Sequence, residues 1–429
     1  MSKNVMPTMV APTTVMNGSA NHLDLKIGQD DGLLKPPLLP FAMPSESVSL
    51  AKVAQRLGDL GSCLKTMFIE RDEVIDGLIL AAVSGESLAM LGDPGTTKTL
   101  LIRAFMHGIS GANLFVRQLH GESTMRDLFG PVSLRGLRAD NYVRVVAGML
   151  PEAHVAYIDE FTRGVGLHDA LLQTMNERQF DNGLFGPTKM PLMGLFGSAN
   201  DYPEDAAFWD RWVIRHKVGY VTTKQHFLEM LAADPKVEDV SAVMTINDLA
   251  CVQLMVGDVA LTNEADEAIA DVWSDLKAHP EPVIASDRRW KKLRWLAKAQ
   301  ALIRGKQTAD PSDVGLVARH VLWTWDHQIP VVRSVVEKHC ATEQFKLEQT
   351  RGTLTRAFEA ARSATAAQAQ KKGEEAIRLF EHFERTLPTL ETQAHSDLAF
   401  ARQLNRLKTD VRGMKDRLIE LLSEGGERG

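Results

Sequence analysis

Short apolar runs alternate with helical patterns between Leu50 and Val221. Each run is bounded by turn residues and is too short for a helix, so it suits a buried strand. The runs that we interpret as strands are Ser87–Leu91, Leu114–Gln118, Val155–Ile158 and Leu192–Gly197, with helical patterns at Leu100–Gly108 and Leu167–Glu177. Because alternating strands and helices place helices on both faces of a sheet, the pattern predicts an α/β fold with a parallel sheet.

The strand pattern stops at about Thr222. Residues 224–340 predict short helices separated by prolines, and the remaining chain is rich in helix formers with one break at Pro388. We therefore predict four regions. They are a flexible arm at 1–45, an α/β core at 46–221, an all-α domain at 222–330 and a helical extension at 331–429.

The last helical segment carries an apolar seam, whose members recur at alternating spacings of three and four residues. They are Leu404, Leu407, Val411, Met414, Leu418 and Leu421. Two interpretations remain open for this seam. The tail folds back on itself as a hairpin at Pro388, or the seam forms a coiled coil with a partner. The N-terminal arm is likewise either an inert leader or a docking tail.

Composition excludes several classes of protein. The 429 residues carry a net charge of −6, which disfavours a dedicated nucleic-acid binder. The three cysteines, Cys63, Cys251 and Cys340, are widely separated, so they suggest reduced thiols rather than disulfides or a zinc site. No apolar stretch approaches the roughly 20 residues that span a bilayer. Lys3 is not followed by a compact apolar core and a cleavage site, so the N-terminus does not suggest a secretory signal. We expect a cytoplasmic protein without a membrane span.

A phosphate-binding loop follows the first predicted strand and precedes a helix. Its residues are Gly92, Asp93, Pro94, Gly95, Thr96, Thr97, Lys98 and Thr99. The glycines let backbone N–H groups turn toward phosphate oxygens, Lys98 can bridge the β- and γ-phosphates, and the Thr99 hydroxyl can ligate Mg²⁺. Thr97 departs from the usual pattern, which has glycine before the lysine. The loop predicts nucleotide binding with ATP and Mg²⁺ as cofactors.

Polar residues end the last two of the four apolar runs. Asp159 and Glu160 follow Val155–Ile158, so Asp159 would lie at the carboxyl edge of the sheet and hold the water shell of Mg²⁺. Glu160 would polarise a water for attack on the γ-phosphorus. Asn200 ends the following run and could orient that water. Together with the phosphate loop, this order of residues favours hydrolysis over phosphoryl transfer to a metabolite.

Two arginine clusters are candidates for stabilising charge. Arg211 lies in a short amphipathic piece, residues 207–215, and could reach a nucleotide across a subunit interface. Arg288 begins a helix of the all-α domain and could couple that domain to the nucleotide, although the adjacent Arg289 fits the same role. A surface salt bridge and a solvated basic face are the alternative interpretations.

Several local runs resemble the MoxR family of AAA+ ATPases, and most closely its RavA subfamily, between about Met67 and Gln328. They are Phe68-Ile-Glu-Arg-Asp-Glu73, Ser84-Gly-Glu-Ser87, Asp127-Leu-Phe-Gly-Pro-Val-Ser133, Leu150-Pro-Glu-Ala153, Leu171-Leu-Gln-Thr-Met-Asn-Glu-Arg-Gln-Phe-Asp-Asn-Gly183 and Ser286-Asp-Arg-Arg-Trp-Lys-Lys292. RavA-type loops also replace the last glycine by another small residue, as Thr97 does.

The resemblance implies a fold and a role for each matching residue. The fold would be an AAA+ P-loop core with a parallel sheet, an all-α lid and a helical extension. Residues 92–99 would be Walker A, Asp159 and Glu160 Walker B, and Asn200 sensor 1. Arg211 would be the arginine finger and Arg288 the sensor 2 arginine, and the segment Ile69–Arg71, with Ile69 and Arg71 at its ends, would lie by the adenine. Residues 121–150 would be the helix-2 insert and 180–192 the hairpin before sensor 1.

The family resemblance also implies an assembly. It would be a homo-hexameric ring that remodels a client beside a partner with a von Willebrand factor A domain. RavA proteins carry a strand-rich domain in the C-terminal region, where this chain predicts helices, so the arm or the tail would recognise the client instead. Two alternative functions remain. A nucleotide-gated scaffold with negligible turnover would be expected to have lost the glutamate or the arginine finger, whereas this chain has both Glu160 and Arg211. An AAA+ motor on nucleic acid is disfavoured by the net charge.

Overall fold

The computed structural model describes residues 50–183, 186–241, 243–340, 343–362, 366–394 and 398–426. The predicted arm at 1–45 lies outside them. The helices before residue 222 are α1 Leu50–Met67, α2 Asp72–Ser84, α3 Lys98–His107, α4 Met125–Phe129, α5 Leu134–Arg138, α6 His168–Glu177 and α7 Ala206–Arg211. The strands in this region are β1 Ser87–Leu91, β2 Ile109–Ser110, β3 Leu114–Gln118, β4 Val155–Asp159, β5 Gln179–Asp181, β6 Pro187–Lys189, β7 Gly194–Ala199 and β8 Ile214–Lys217.

Five of these strands form one parallel sheet in the order β3-β4-β7-β1-β8. All residues of β1 and β7 are buried, as expected of strands covered on both faces. The sequence pattern predicted four of the five strands, with β7 displaced by two residues. Since β4, β7 and β1 are neighbours, their carboxyl ends meet at one edge of the sheet.

The fifth strand corrects one interpretation of the sequence. We took residues 207–215 for a single amphipathic piece, but the chain leaves α7 at Arg211, and β8 then pairs with β1. Trp212 adopts an extended conformation after α7, and the apolar Val213 and Ile214 that follow are buried beside β1. The segment therefore contributes the end of α7, which carries Arg211, and the strand β8.

The region from 222 to 340 is mostly helical. Its helices are α8 Lys224–Ala232, α9 Ile246–Met255, α10 Asn263–Ala278, α11 Asp287–Ile303, α12 Pro311–Val321 and α13 Ile329–Cys340. Three two-residue strands, which the sequence pattern did not predict, lie between them: β9 Met244–Thr245, β10 Ala260–Leu261 and β11 Thr308–Ala309. β9 pairs with β2 and thereby attaches residues 244–245 to the preceding region.

The C-terminal helices form a bundle with a core of its own. They are α14 Glu343–Arg362, α15 Ala366–Ala394 and α16 Leu398–Gly426. Leu404, Leu407, Val411 and Leu418 of the apolar seam are buried against α14 and α15, and Met414 packs at the margin. The seam is therefore used inside this chain, as the intramolecular interpretation predicted; the side chain of Leu421 lies outside the described residues.

The predicted break at Pro388 is wrong, because α15 continues through it. A proline within a helix removes one backbone hydrogen bond and normally costs about 3 kcal/mol. Phe380 and Phe383 are buried before Pro388, and Leu387 and Leu390 pack around it. This burial on both sides offsets the lost bond, so α15 is not interrupted at the proline.

A second, larger core runs from Val53 to Cys340 without interruption and includes both the sheet and the helices after residue 222. No helix among the described residues is long and apolar enough to cross a membrane.

Candidate nucleotide site

The loop after β1 approaches the chain after β8 closely. A Cβ atom at Gly92 would lie 2.0 Å from the carbonyl oxygen of Val218, so only glycine fits there. Gly95 has a φ of +80°, a conformation that side chains disfavour. Thr97, the departure from the usual loop pattern, also has a left-handed φ of +63°. The loop thus keeps the turn that glycine normally makes at this position. Because threonine has a side chain, the backbone of Thr97 is strained in this conformation.

Lys98 begins α3 and points back into the loop. Its Nζ donates to the carbonyl oxygens of Gly92 at 2.5 Å and Asp93 at 3.0 Å, and to Oδ1 of Asn200 at 3.2 Å. Burial lowers the pKa of Lys98, while the nearby Glu160 and Asp159 act in the opposite direction. The ammonium therefore lies between the phosphate loop and the ends of β4 and β7.

A ring of oxygen atoms surrounds the end of β4. Thr99 Oγ1 donates to Asp159 Oδ2 at 3.2 Å, and Ser198 Oγ donates to Asp159 Oδ1. The Tyr157 hydroxyl lies 2.7 Å from Ser198 Oγ and donates to Thr99 Oγ1 at 3.1 Å. Burial raises the pKa of Tyr157, so this phenol stays protonated. Both Asp159 oxygens are consequently held in fixed positions.

Sequence reasoning missed Tyr157 and Ser198. Both are completely buried polar residues within strands that are otherwise apolar. Tyr157 precedes Asp159 by two positions and shares its face of β4, and Ser198 is the register partner of Asp159 on β7. A polar residue inside a buried strand, two positions before the acid, was the signal that could have identified Tyr157.

Glu160 follows Asp159 in a left-handed conformation with a φ of +52°. Its Oε1 accepts a hydrogen bond from Nδ2 of Asn200 at 2.8 Å, and its Oε2 pairs with Nε of Arg163 at 3.2 Å. Because Asn200 also accepts from Lys98, the amide joins the carboxylate to the phosphate loop. The structure thus brings together Lys98, Glu160 and Asn200.

Arg211 lies at the end of α7, beside the amino end of β1 and not at the carboxyl edge that carries the phosphate loop. Its Nε donates to Oδ1 of Asn176 at 3.2 Å, and its carbonyl oxygen accepts from the hydroxyl of Ser87 at the start of β1. Burial and then the nearby Arg288 lower its pKa. In the described part of the chain, Arg211 has no contact with Lys98 or with Glu160.

Asp210 connects α7 to the beginning of α11. Ser286 Oγ donates to Asp210 Oδ1 at 2.8 Å, and Nη1 of Arg288 lies 3.5 Å from Asp210 Oδ2. Arg289 instead points into the core, is 2% exposed, and donates to the carbonyl oxygen of Trp323 and the hydroxyl of Thr324. Burial lowers the pKa of Arg289 to about 10. Of these two arginines, Arg288 is the more accessible.

The segment Ile69–Arg71 reaches the loop through the chain after β8. Nη2 of Arg71 donates to the carbonyl oxygen of Gly219 at 2.9 Å, and the hydroxyl of the next residue, Tyr220, donates to the carbonyl oxygen of Pro94 at 3.2 Å. Ile69 lines a cavity of about 820 Å³ whose opposite wall includes Arg351 of α14. Sequence reasoning did not anticipate that the C-terminal bundle would lie beside Ile69.

Glu70 fixes this segment in place. Its carboxylate accepts from the backbone N–H of Thr222 at 3.0 Å and interacts with Nδ1 of His226 at 2.7 Å. Burial raises the pKa of Glu70, but the hydrogen bonds from His226 and Thr222 outweigh it, so the net pKa lies below the ordinary value. The sequence analysis includes Glu70 only within the segment Ile69–Arg71. Its left-handed φ of +56° is visible only in the structure.

Two family models match this chain in consecutive regions. One, described as the MoxR domain in the MoxR-vWA-beta-propeller ternary systems, matches residues 55–255. The other, an AAA lid domain, matches residues 264–336. The uncharacterized protein MJ0812 of Methanocaldococcus jannaschii is 32% identical over 265 residues, which are 61% of this chain and 69% of that protein. The chain belongs to the MoxR family of AAA+ ATPases.

Two further comparisons extend the list of similar proteins. The uncharacterized protein MJ0079 of the same organism is 30% identical over 292 residues, which are 67% of this chain and 75% of that protein. The crystal structure of a candidate ATPase from Cytophaga hutchinsonii superposes with a TM-score of 0.54 at 17% identity, covering 68% of this chain and 94% of the other. The predicted AAA+ core, all-α lid and helical extension are thereby confirmed as the fold.

The groups in this MoxR domain fit a magnesium nucleotide. In the described part of the chain, the backbone N–H groups of Gly95, Thr96 and Thr97 donate to no other backbone group, so they are available to phosphate oxygens. Thr99 and Asp159 supply a hydroxyl and a carboxylate, the hard oxygen ligands that Mg²⁺ takes. No cluster of three or more His, Cys, Asp or Glu among the described residues could hold a metal alone. Phosphate oxygens and waters would complete the coordination.

Proposed function

We propose that this MoxR protein is an Mg²⁺-dependent ATPase that assembles as a homo-hexameric ring and uses hydrolysis to remodel or activate a partner protein complex. The observation that carries the proposal is the meeting of Lys98, Thr99, Asp159, Glu160 and Asn200 at the carboxyl edge of one sheet. Phosphate binding, metal binding and activation of water each need one of these groups. Hydrogen bonds connect Lys98 to Asn200, Asn200 to Glu160, and Thr99 to Asp159.

Each residue has a distinct role in this proposal. Bound Mg-ATP would supply the phosphorus to be attacked and the charge that neutralises the β- and γ-oxygens. The loop amides of residues 92–97 and Lys98 would hold the phosphates, and Thr99 with Asp159 would hold the metal. Glu160 would accept the proton of the attacking water through one carboxylate oxygen, while Asn200 fixes the other.

The two arginines lie together beside Asp210 and would complete the site from there. Arg211 is directed away from its own phosphate loop, which supports action on the nucleotide of a neighbouring subunit as a finger. Arg288, which is more accessible than Arg289, would act as sensor 2 and report the nucleotide to the lid. Ile69 and Arg71 would lie by the adenine, next to the loop that Tyr220 contacts.

The family description supports the choice of partner. The matched MoxR domain is named for systems that pair MoxR with vWA and beta-propeller proteins, so we propose a von Willebrand factor A domain protein as the partner. Membership of the RavA subfamily, a cytoplasmic location and the four regional boundaries stay predictions.

The roles of Lys98 and Glu160 can be distinguished by measuring Mg-ATP affinity and ATP turnover separately. Lys98→Ala should abolish binding of Mg-ATP, because it removes the only loop ammonium described at the phosphate position. Glu160→Gln should bind Mg-ATP with near-wild-type affinity but lose turnover, because an amide cannot accept the proton. Glu177→Gln, a matched change on the exposed end of α6, is the control. Normal turnover in Lys98→Ala would contradict the phosphate-loop assignment.

The finger role can be tested by mixing subunits. Arg211→Ala alone should bind Mg-ATP and lose turnover by a factor on the order of 10³. Added Glu160→Gln subunits, which are inactive but carry an intact Arg211, should restore part of the turnover if the arginine acts on the neighbour. Mixtures no more active than their separate components would contradict action between subunits.

A further inference from the structure

The guanidinium of Arg215 is buried where β8 meets the lid. The residue is 1% exposed, and its three nitrogens donate to three carbonyl oxygens. Nη2 donates to Trp209 at 2.6 Å, Nε to Trp212 at 2.8 Å and Nη1 to Trp323 at 2.7 Å. The guanidinium also stacks 3.9 Å from the ring of Trp209. A planar fork with fixed donors holds these three backbone positions at once, which a lysine could not do.

Two of the three carbonyls flank the residues that the proposed mechanism uses. Trp209 and Trp212 lie immediately before and after Asp210 and Arg211 at the end of α7. The last carbonyl groups of a helix lack the usual partner four residues on, so their direction depends on what else binds them. The Trp209 carbonyl accepts the backbone N–H of Trp212 at 3.2 Å in addition to Nη2 of Arg215. Arg215 binds the carbonyls on both sides of Arg211 and thereby sets the path of the backbone that carries the Arg211 side chain.

The third carbonyl belongs to the lid. Trp323 follows α12, and the indole of Trp209 donates to the neighbouring carbonyl of Thr324 at 3.1 Å. The end of α7 is therefore attached to the lid at both Trp209 and Arg215. A movement of the lid would be transmitted to the backbone beside Arg211.

Simple packing does not require a charge at this position. In the described part of the chain, Arg215 forms no ion pair, and burial lowers its pKa well below the ordinary value, with a smaller contribution from Arg289. Burying a guanidinium without a carboxylate is expensive unless hydrogen bonds satisfy it, and an apolar residue of similar volume would fill the space more favourably. What the guanidinium adds is the direction of the three carbonyls.

We propose that Arg215 is the positioning residue for the arginine finger: it holds the backbone at residues 209–212 so that Arg211 reaches the nucleotide of the neighbouring subunit. The proposal rests on the proposed function of Arg211. It goes beyond that function because it gives a residue outside the nucleotide site control over turnover in the adjacent subunit.

The test compares Arg215→Met and Arg215→Lys with the wild type. Arg215→Met should lower kcat by about 10²-fold, the effect of a displacement of about 1 Å in a catalytic group, and leave KM for ATP within about two-fold. Arg215→Lys, which can hold some of the carbonyls, should recover part of the loss. Arg304→Met removes a buried guanidinium of the lid that binds Asp313, and should lower stability without this loss of kcat.

Mixed assemblies make the prediction specific to the finger. Subunits with Arg215→Met keep their own nucleotide site, so added Glu160→Gln subunits with intact fingers should restore turnover, as they should for Arg211→Ala. If Arg211→Ala is rescued and Arg215→Met is not, Arg215 acts on its own site and the proposal is overturned. If neither is rescued, the finger assignment itself has failed.

A second measurement does not depend on turnover. Hydrogen exchange of the backbone N–H groups at 209–213 should be at least about tenfold faster in Arg215→Met than in Arg304→Met, because the segment has lost its anchor. Equal exchange in the two variants would overturn the proposal even if ATP is not hydrolysed. Should Arg215→Met fail to fold, Arg215→Lys compared with Arg304→Lys carries both measurements.

Discussion

Thr97 is the residue at which the phosphate loop departs most clearly from the usual pattern. A β-branched residue with a φ of +63° carries strain of about 1–2 kcal/mol. Thr97→Gly should therefore be more stable than Thr97→Ala by about 0.5–1 kcal/mol, part of the gain being lost to the larger unfolded-state entropy of glycine. Urea unfolding of the two variants measures this difference. Equal stability would mean that the strain has been relieved elsewhere in the loop.

Ser198 offers a test of the oxygen ring around Asp159. Its hydroxyl donates to the Asp159 carboxylate that would hold Mg²⁺. Mutating a residue that hydrogen-bonds a metal ligand typically lowers metal affinity 10- to 100-fold. Ser198→Ala should raise the Mg²⁺ concentration for half-maximal turnover by about tenfold. Turnover at saturating Mg²⁺ should change much less. Ser133→Ala, at the start of α5, is a matched control, and an unchanged Mg²⁺ dependence of Ser198→Ala would contradict the role of the ring.

The main site residues were predictable because each is marked by its place in the chain. Lys98 ends the glycine-containing loop after the first run, Asp159 and Asn200 come at the ends of two later runs, and parallel strands bring these ends together. Tyr157 and Ser198 were not predicted, because their role depends on the register between β4 and β7. The contacts of Arg215 were also hidden, since Trp209, Trp212 and Trp323 meet only through the tertiary fold.

At the scale of elements, β8 and α12 meet through two buried histidines. The rings of His216 and His320 stack at 4.2 Å, with Glu73, Arg319 and Arg333 nearby. Burial lowers the pKa of His216 to about 4, whereas an unfolded chain has a histidine pKa near 6.5. This junction between the sheet and the lid should therefore be sensitive to acid.

The sign of the pH dependence follows from these two values. Between pH 6.5 and 4 the unfolded state binds a proton that folded His216 does not, so the free energy of unfolding falls as the pH drops through this window. The loss from His216 should total about 3 kcal/mol and level off below pH 4. His216→Leu should flatten the slope measured by urea unfolding, and His327→Gln, at an exposed position, should not. A wild type as stable at pH 4.5 as at pH 7 would contradict this account.

The C-terminal bundle gives a second test at this scale. Its buried residues form a cluster separate from the large core, which ends at Cys340. A chain ending at Cys340 should therefore keep a cooperative thermal transition. A chain ending at Pro388 should aggregate, because it lacks α16 and exposes Phe358, Phe380 and Phe383. Loss of folding in the shorter chain would show that the bundle supports the core.

The elements differ in how much of them the sequence could predict. Runs such as Ser87–Leu91 and Leu114–Gln118 are bounded by turn residues, and the structure has both strands at these limits. β8 was missed because arginine, histidine and lysine follow Ile214 and leave no apolar run. The break at Pro388 was predicted wrongly because helix propensity describes an isolated helix, whereas α15 is stabilised by its packing in the bundle.

At the scale of the whole molecule, the nucleotide site is contacted by regions that are distant in the chain. Arg351 of the bundle lines the cavity at Ile69, and Trp323 of the lid contacts the end of α7 through Arg215. Nucleotide binding at the sheet edge could thus affect the lid and the bundle together. Transmission of force to a partner, as proposed above, would use these contacts of the lid and the bundle.

The central claim is that Mg-ATP is hydrolysed by a ring of these subunits. The most direct measurement is light scattering combined with ATP turnover for the wild type and Glu160→Gln, with and without Mg-ATP. We expect a nucleotide-dependent mass near that of six subunits for both proteins, with turnover in the wild type only. A wild-type protein that stays monomeric with Mg-ATP, or a Glu160→Gln variant that turns over normally, would contradict it.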